Sequence, residues 1–183
     1  MRVDLVTAPS VEPVTLDEMK LYLKVDTDAD DSYITSLIKA ARISAEEITR
    51  RAFITQTVRV WFKYDELENP LELPFPPLQE VTEIVISTPT SQSTVDADNY
   101  SYEDGERSRV IYAEAEENWP LYDTEGHLGV KYVCGYGDQA SDVPDDIKQA
   151  IKLIVAHWYE NRESQKLPPE AVNILSKKRI WRL

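Results

Sequence analysis

Residues 30–63 read DDSYITSLIKAARISAEEITRRAFITQTVRVWFK, and their hydrophobic period changes once, near Ile54. Before that point Ile34, Leu37, Ile38, Ala41, Ala45 and Ile48 recur every three or four residues, which lines one face of a helix. Asp30 and Asp31 suit the positive N-terminus of that helix; Arg50 and Arg51 suit its negative end. From Ile54 the period is two. Ile54, Gln56, Val58, Val60 and Phe62 face one way, and Thr55, Thr57, Arg59, Trp61 and Lys63 the other, which predicts a strand. A helix that runs directly into a half-buried strand places the chain in a mixed class.

Working outward, Thr15-Leu16-Asp17-Glu18 is a capping box: a Thr N-cap and a Glu three residues on satisfy two orphan N–H groups. It predicts a short helix through Met19, Leu21 and Leu23 to about Lys24. Beyond Lys63, Leu71-Glu72-Leu73 is a short extended piece closed by Pro74-Phe75-Pro76-Pro77. Val81–Ser87, Tyr100–Glu103, Arg109–Ala113 and Gly129–Cys134 predict further strands, while Thr88–Asp98 lacks apolar periodicity and reads as a loop. Gly135-Tyr136-Gly137-Asp138 predicts a tight turn. Val143-Pro144-Asp145-Asp146 opens a long helix with the stripe Ile147, Ile151, Ile154, Val155 and Trp158. A short helix from Glu170 to about Lys178 precedes the end of the sequence.

The expected fold class is therefore α+β: α-helical hairpins from the N- and C-terminal segments packed together, with an inserted small antiparallel β module. The expected divisions are a helical part over 1–53, the β module over 54–137, and C-terminal helices with a basic tail over 138–183. Neither helical pair alone buries both of its faces, which is why the two ends are expected to pack.

The 183 residues carry a net charge of −13. Such a surface repels phosphate and disfavours sequence-reading of DNA. Residues 90–126 hold ten acids against Arg107 and Arg109, a net −8. The last eight residues, SKKRIWRL, hold four basic side chains and no acidic one. Each charge run reads most simply as solvated surface. No stretch approaches the roughly 18 apolar residues of a membrane span, and the N-terminus has no signal-peptide core, so a soluble chain is expected. The single cysteine, Cys134, forms no internal disulfide and reads as a small buried hydrophobe.

Candidate chemistry is sparse. Asp26, Asp28 and Asp30 imitate the start of a calcium loop, but the sixth position is Asp31 instead of Gly and the twelfth is Leu37 instead of Glu. Helix capping is the simpler role. His157 and Glu160 share a helix face without a further ligand set, and His127 is isolated. Asn99-Tyr100-Ser101 fits a glycosylation acceptor only in a secreted chain. Phosphate loops, nucleophile elbows and dinucleotide fingerprints are missing. Neither catalysis, nor a cofactor, nor a metal is expected.

The ordered set of segments resembles the head–tail connector (adaptor) proteins of tailed bacteriophages, also found in prophages and gene-transfer particles. It comprises Val14 to Leu23 with the acids Asp28 to Asp31, the Ile34–Ile48 helix, Ile54-Thr55-Gln56-Thr57 and Leu73 to Leu78. It continues with Tyr132 to Gly137, Val143-Pro144, Ile147 to Ala150, His157 to Glu163, and Arg179-Ile180-Trp181-Arg182. The resemblance spans nearly the whole chain, least in 88–126. It implies a structural virion protein at the head–tail interface, assembled in the host cytoplasm: a homo-oligomeric ring of about twelve beneath the portal. Its partners would be the phage portal protein and a tail or head-completion protein, with DNA passing through unread and no membrane involved. In that setting Lys177, Lys178, Arg179, Trp181 and Arg182 would dock on an acidic portal surface, Trp181 as the anchor. Glu114, Glu116 and Glu117 would face the channel, where about twelve copies of the −8 stretch would present roughly −100. The competing readings are an acidic non-viral protein–protein binding module, which accounts for the charge but not the ordered segments, and an enzyme using the Asp26–Asp31 cluster.

Overall fold

The β-strand period of residues 56–63 organises one half of the molecule. The computed structural model describes residues 1–104, 107–112, 119–120, 125–163 and 166–180, and these divide into two units. One comprises Met1–Ala8 with Thr55–Gly135; the other comprises Pro9–Ile54 with Tyr136–Leu183.

The β unit contains a five-stranded antiparallel sheet in the order β1 (Arg2–Thr7), β2 (Gln56–Lys63), β8 (His127–Cys134), β4 (Leu78–Ser87), β5 (Gln92–Thr94). A second sheet has the order β3 (Leu71–Glu72), β7 (Arg109–Tyr112), β6 (Tyr100–Glu103). The alternation read in β2 holds: Val58, Val60 and Phe62 are buried, and Lys63 on the opposite face is exposed. Val60 pairs with Val130, and Val130 with Ile84, so one apolar row crosses three strands. On the other face Gly129 lies opposite Trp61, and a Cβ there would sit 2.6 Å from the indole. Glycine is required because the ring covers it.

Two strands differ from the sequence reading. Arg2–Thr7, assigned above to the helical part, is the edge strand β1 of this sheet; five of its six residues are exposed, so burial imposes no alternation on its sequence. Gln92–Thr94, read as loop, pairs with Ser87 to Val85 of β4 through the backbone while all three side chains stay exposed.

In the helical unit the expected capping box opens α1 (Leu16–Leu23): Thr15 Oγ1 accepts from Glu18 N at 3.2 Å and Glu18 Oε2 from Thr15 N at 2.9 Å. Lys24 then turns left-handed, φ 58°, and ends the helix. Helices α2 (Asp31–Thr49), α3 (Asp145–Glu160) and α4 (Pro169–Ser176) follow. They share one core with α1: Met19, Ile34, Ile38, Ile147, Ile151 and Leu175 are each at most 2% exposed. The N- and C-terminal helices thus complete each other's burial, at roughly 1.5–3 kcal/mol per buried aliphatic side chain. Leu21, within the helix read from the capping box, is 81% exposed. An eight-residue helix buries only one narrow stripe, and Met19 occupies it.

Candidate functional site: the basic segment and its anchors

Lys177–Ile180 continue from α4 as a series of tight turns. Lys178 N donates to Leu175 O at 3.0 Å and Arg179 N to Ser176 O at 3.3 Å. The segment is then fastened to two other helices. Ile180 N donates to Thr49 O at 3.1 Å, which satisfies one of the orphan carbonyls at the end of α2. Arg51 Nε donates to Lys178 O at 2.8 Å, and Lys178 Nζ pairs with Asp146 Oδ2 at 2.9 Å. Asp146 lies in the first turn of α3, where a carboxylate is favoured by the helix dipole.

Three of the five residues expected to dock are therefore grouped at one end of the helical unit. Lys177 is exposed, Arg179 is half-buried, and Lys178 is engaged within the chain. Trp181 and Arg182 lie outside the described residues, as do Glu114, Glu116 and Glu117. Sequence reading missed Thr49, Arg51 and Asp146 as the anchors. Arg51 was legible only as a helix-end cation, because its acceptor is 127 residues away.

The acidic cluster before α2 is held by the chain's own donors. Lys20 Nζ reaches Asp28 at 2.6 Å and Asp31 at 2.8 Å; Tyr159 Oη donates to Asp30 at 2.6 Å. The hydrogen bond to Asp28, then that to Asp31, raises the Lys20 pKa, and the Asp28 carboxyl is lowered by the same contact. Asp30 in turn raises the Tyr159 hydroxyl, through its hydrogen bond first. Among the described residues, three or more His, Cys, Asp or Glu side chains are nowhere placed to hold a metal ion. No described helix is long and apolar enough to cross a membrane.

A second missed feature is a buried cation. Arg42, 5% exposed, stands on the apolar stripe of α2 between Ala41 and Ala45. Its Nε donates to Glu12 at 2.7 Å and its guanidinium reaches Glu46 Oε2 at 2.6 Å. Glu46 Oε1 also accepts from Phe53 N at 2.9 Å, so the network pins the backbone after α2. Burial opposes the Arg42 charge, and Glu46 and Glu12 more than offset it, so its pKa is raised. The sequence signal was an Arg within an apolar stripe, four residues before a Glu.

A family model described as head completion protein matches residues 12–179. The chain belongs to the head completion protein family. No curated protein matches it in sequence. Among solved structures, a chain in the neck of an empty gene transfer agent particle, computed with C6 symmetry, superposes with TM-score 0.85 at 23% identity. A chain from the virion of the native gene transfer agent particle gives 0.85 at 24%. One from the neck of the native particle, computed with C12 symmetry, gives 0.83 at 23%. Each likeness covers 100% of this chain and 97% of the other. The structural likeness extends over both units described above, including β1, which precedes the family match.

Proposed function

We propose that this head completion protein is a non-enzymatic connector at the head–tail interface of a phage-like particle. It forms a ring of about twelve subunits beneath the portal, through which DNA passes and to which the tail or the next connector attaches. The family match over residues 12–179 carries the reading. The full-length likeness to chains of gene transfer agent necks, one of them computed with C12 symmetry, supports it.

In this reading the basic end of the chain docks on the portal. Lys177 and Arg179 stand at the base, Trp181 is the anchor, and Arg182 meets acidic groups of the partner. Lys178 has a second duty, since its ion pair with Asp146 orients the segment. The acidic stretch with Glu114, Glu116 and Glu117 faces the channel, where like charge keeps DNA from adhering.

The structure refines the test. Removing residues 177–183 would also strip the cap from Thr49, so binding and folding would be lost together. Removing 181–183 alone, or changing Trp181→Ala with Arg182→Glu, leaves the anchors in place. Binding to purified portal rings should then fall while the circular dichroism spectrum is unchanged. Undiminished portal binding by both variants would show that docking occurs elsewhere. Independently, light scattering of the free chain across a concentration and salt series should give a closed ring of about ten to fourteen chains, or a monomer that assembles only when portal is added.

A further inference from the structure

The apolar face of the five-stranded sheet runs past its cover. Val60 and Val58 in β2 are 0% and 5% exposed, yet their register partners on β1, Val3 and Leu5, are 38% and 58% exposed. Val6 is 48% exposed on the same strand. On the opposite face of β1, Arg2 pairs with Asp4 at 3.0 Å, and Trp61 Nε1 donates to Asp4 at 2.8 Å, so those side chains are occupied. Among the described residues, what remains is a six-residue outer strand with bare aliphatic groups. Soluble proteins normally blunt such an edge. Beside it lies a groove of about 470 Å³ lined by Met1, Arg2, Trp61, Lys63, Ser87 and His127.

We infer that the β1 edge of one copy is covered by the β5 edge of the next copy. This rests on the ring proposed above. A closed ring needs two different, complementary surfaces on each subunit, because a surface that pairs with itself yields only dimers. β1 and β5 are the two outer strands of one sheet, so head-to-tail pairing extends that sheet from copy to copy. Their charges are complementary. The exposed Lys63 ends β2 beside β1, and β5 leads into exposed Asp96 and Asp98. The β5 strand itself is short and polar, so its contribution is main-chain hydrogen bonding, with the aliphatic cover spread over the surrounding surface.

Strand direction follows from the topology. Each neighbour in this five-stranded sheet is antiparallel, so β1 and β5 point the same way. A junction that continues the sheet from one copy to the next is therefore parallel in sense.

Cysteine pairs test the contact on whichever assembly forms, free or on purified portal rings. Val3→Cys/Ser93→Cys and Leu5→Cys/Ser93→Cys sample both apolar positions of β1, and Cys134 is buried and does not interfere. Oxidation should give a ladder of disulfide-linked multiples ending at the ring size in at least one double variant, while each single variant stays unlinked. Leu5→Asp should reduce assembly about tenfold or more without changing the urea midpoint of the isolated chain, since it places a charge in an apolar contact only after assembly. An assembly of ring mass that yields no ladder with either pair and tolerates Leu5→Asp would overturn this interface and leave the connector reading intact. Failure of the unaltered chain to assemble under either condition would overturn the ring itself, and this contact with it.

Discussion

Replacing Arg42 by Met, alone and together with Glu46→Gln, probes the buried network of the helical unit. Arg42 is 5% exposed and makes two charged hydrogen bonds, to Glu12 and Glu46. Met fills similar volume with an unbranched, adaptable chain, so the cavity contribution is small. What remains is the uncompensated carboxylate. Glu12 has 26% of its side chain accessible and can rehydrate, whereas Glu46 has 12% and is held by Phe53 N. Breaking a buried pair costs about 3–5 kcal/mol; with one partner able to turn to water, about 3 kcal/mol is expected for Arg42→Met. Glu46→Gln keeps the acceptor for Phe53 N and loses one charged bond, about 1.5–2 kcal/mol. The double variant leaves only Glu12, which can turn to water, so its cost should be close to that of Glu46→Gln alone. A coupling of at least about 1.5 kcal/mol follows. Urea unfolding followed at 222 nm reports chiefly the helical unit, which avoids treating two units as one transition. Additivity of the two changes within about 0.5 kcal/mol would refute a shared buried network.

Three further outcomes are expected. Gly129→Ala places a Cβ 2.6 Å from the Trp61 ring and 2.9 Å from Val85, so it should cost about 1–3 kcal/mol and shift tryptophan emission; an unchanged urea midpoint would show that the ring moves freely. Lys24→Gly relieves a left-handed residue at φ 58° whose side chain is exposed, and should raise stability by up to about 1 kcal/mol, read as a higher urea midpoint. Asp28 is held below its ordinary value by the Lys20 hydrogen bond, so its contribution is present above the unfolded pKa and is lost as pH falls through the folded one. Lys20→Met should therefore raise the Asp28 titration midpoint in carboxyl NMR and flatten the stability profile below about pH 4; an unmoved midpoint would mean the pair is not formed in solution.

The residues whose burial is periodic announced their elements without help from the rest of the molecule. In α2 and α3 the spacing of Ile34, Ile38, Ala41, Ile147, Ile151 and Ile154 is the core itself, since one helix face must be apolar to be buried. In β2 the alternation of Val58, Val60 and Phe62 did the same for the sheet. The capping box at Thr15 was equally legible, because its donors and acceptors are three residues apart.

Tertiary structure decided everything whose partner is distant or whose side chains carry no burial pattern. β1 and β5 are strands through backbone pairing alone, and exposed residues leave no periodic trace. Arg42 is held in the core by Glu46 and by Glu12, and the latter is 30 positions away. The basic segment is fastened at Thr49, Arg51 and Asp146 by bonds that span more than thirty residues and, for Arg51, 127. Sequence specifies local periodicity because neighbours along the chain share one helix face or one strand face. Which distant groups neutralise a buried charge, cap a helix end or continue a sheet depends on how those faces are brought together, and that is settled only by packing.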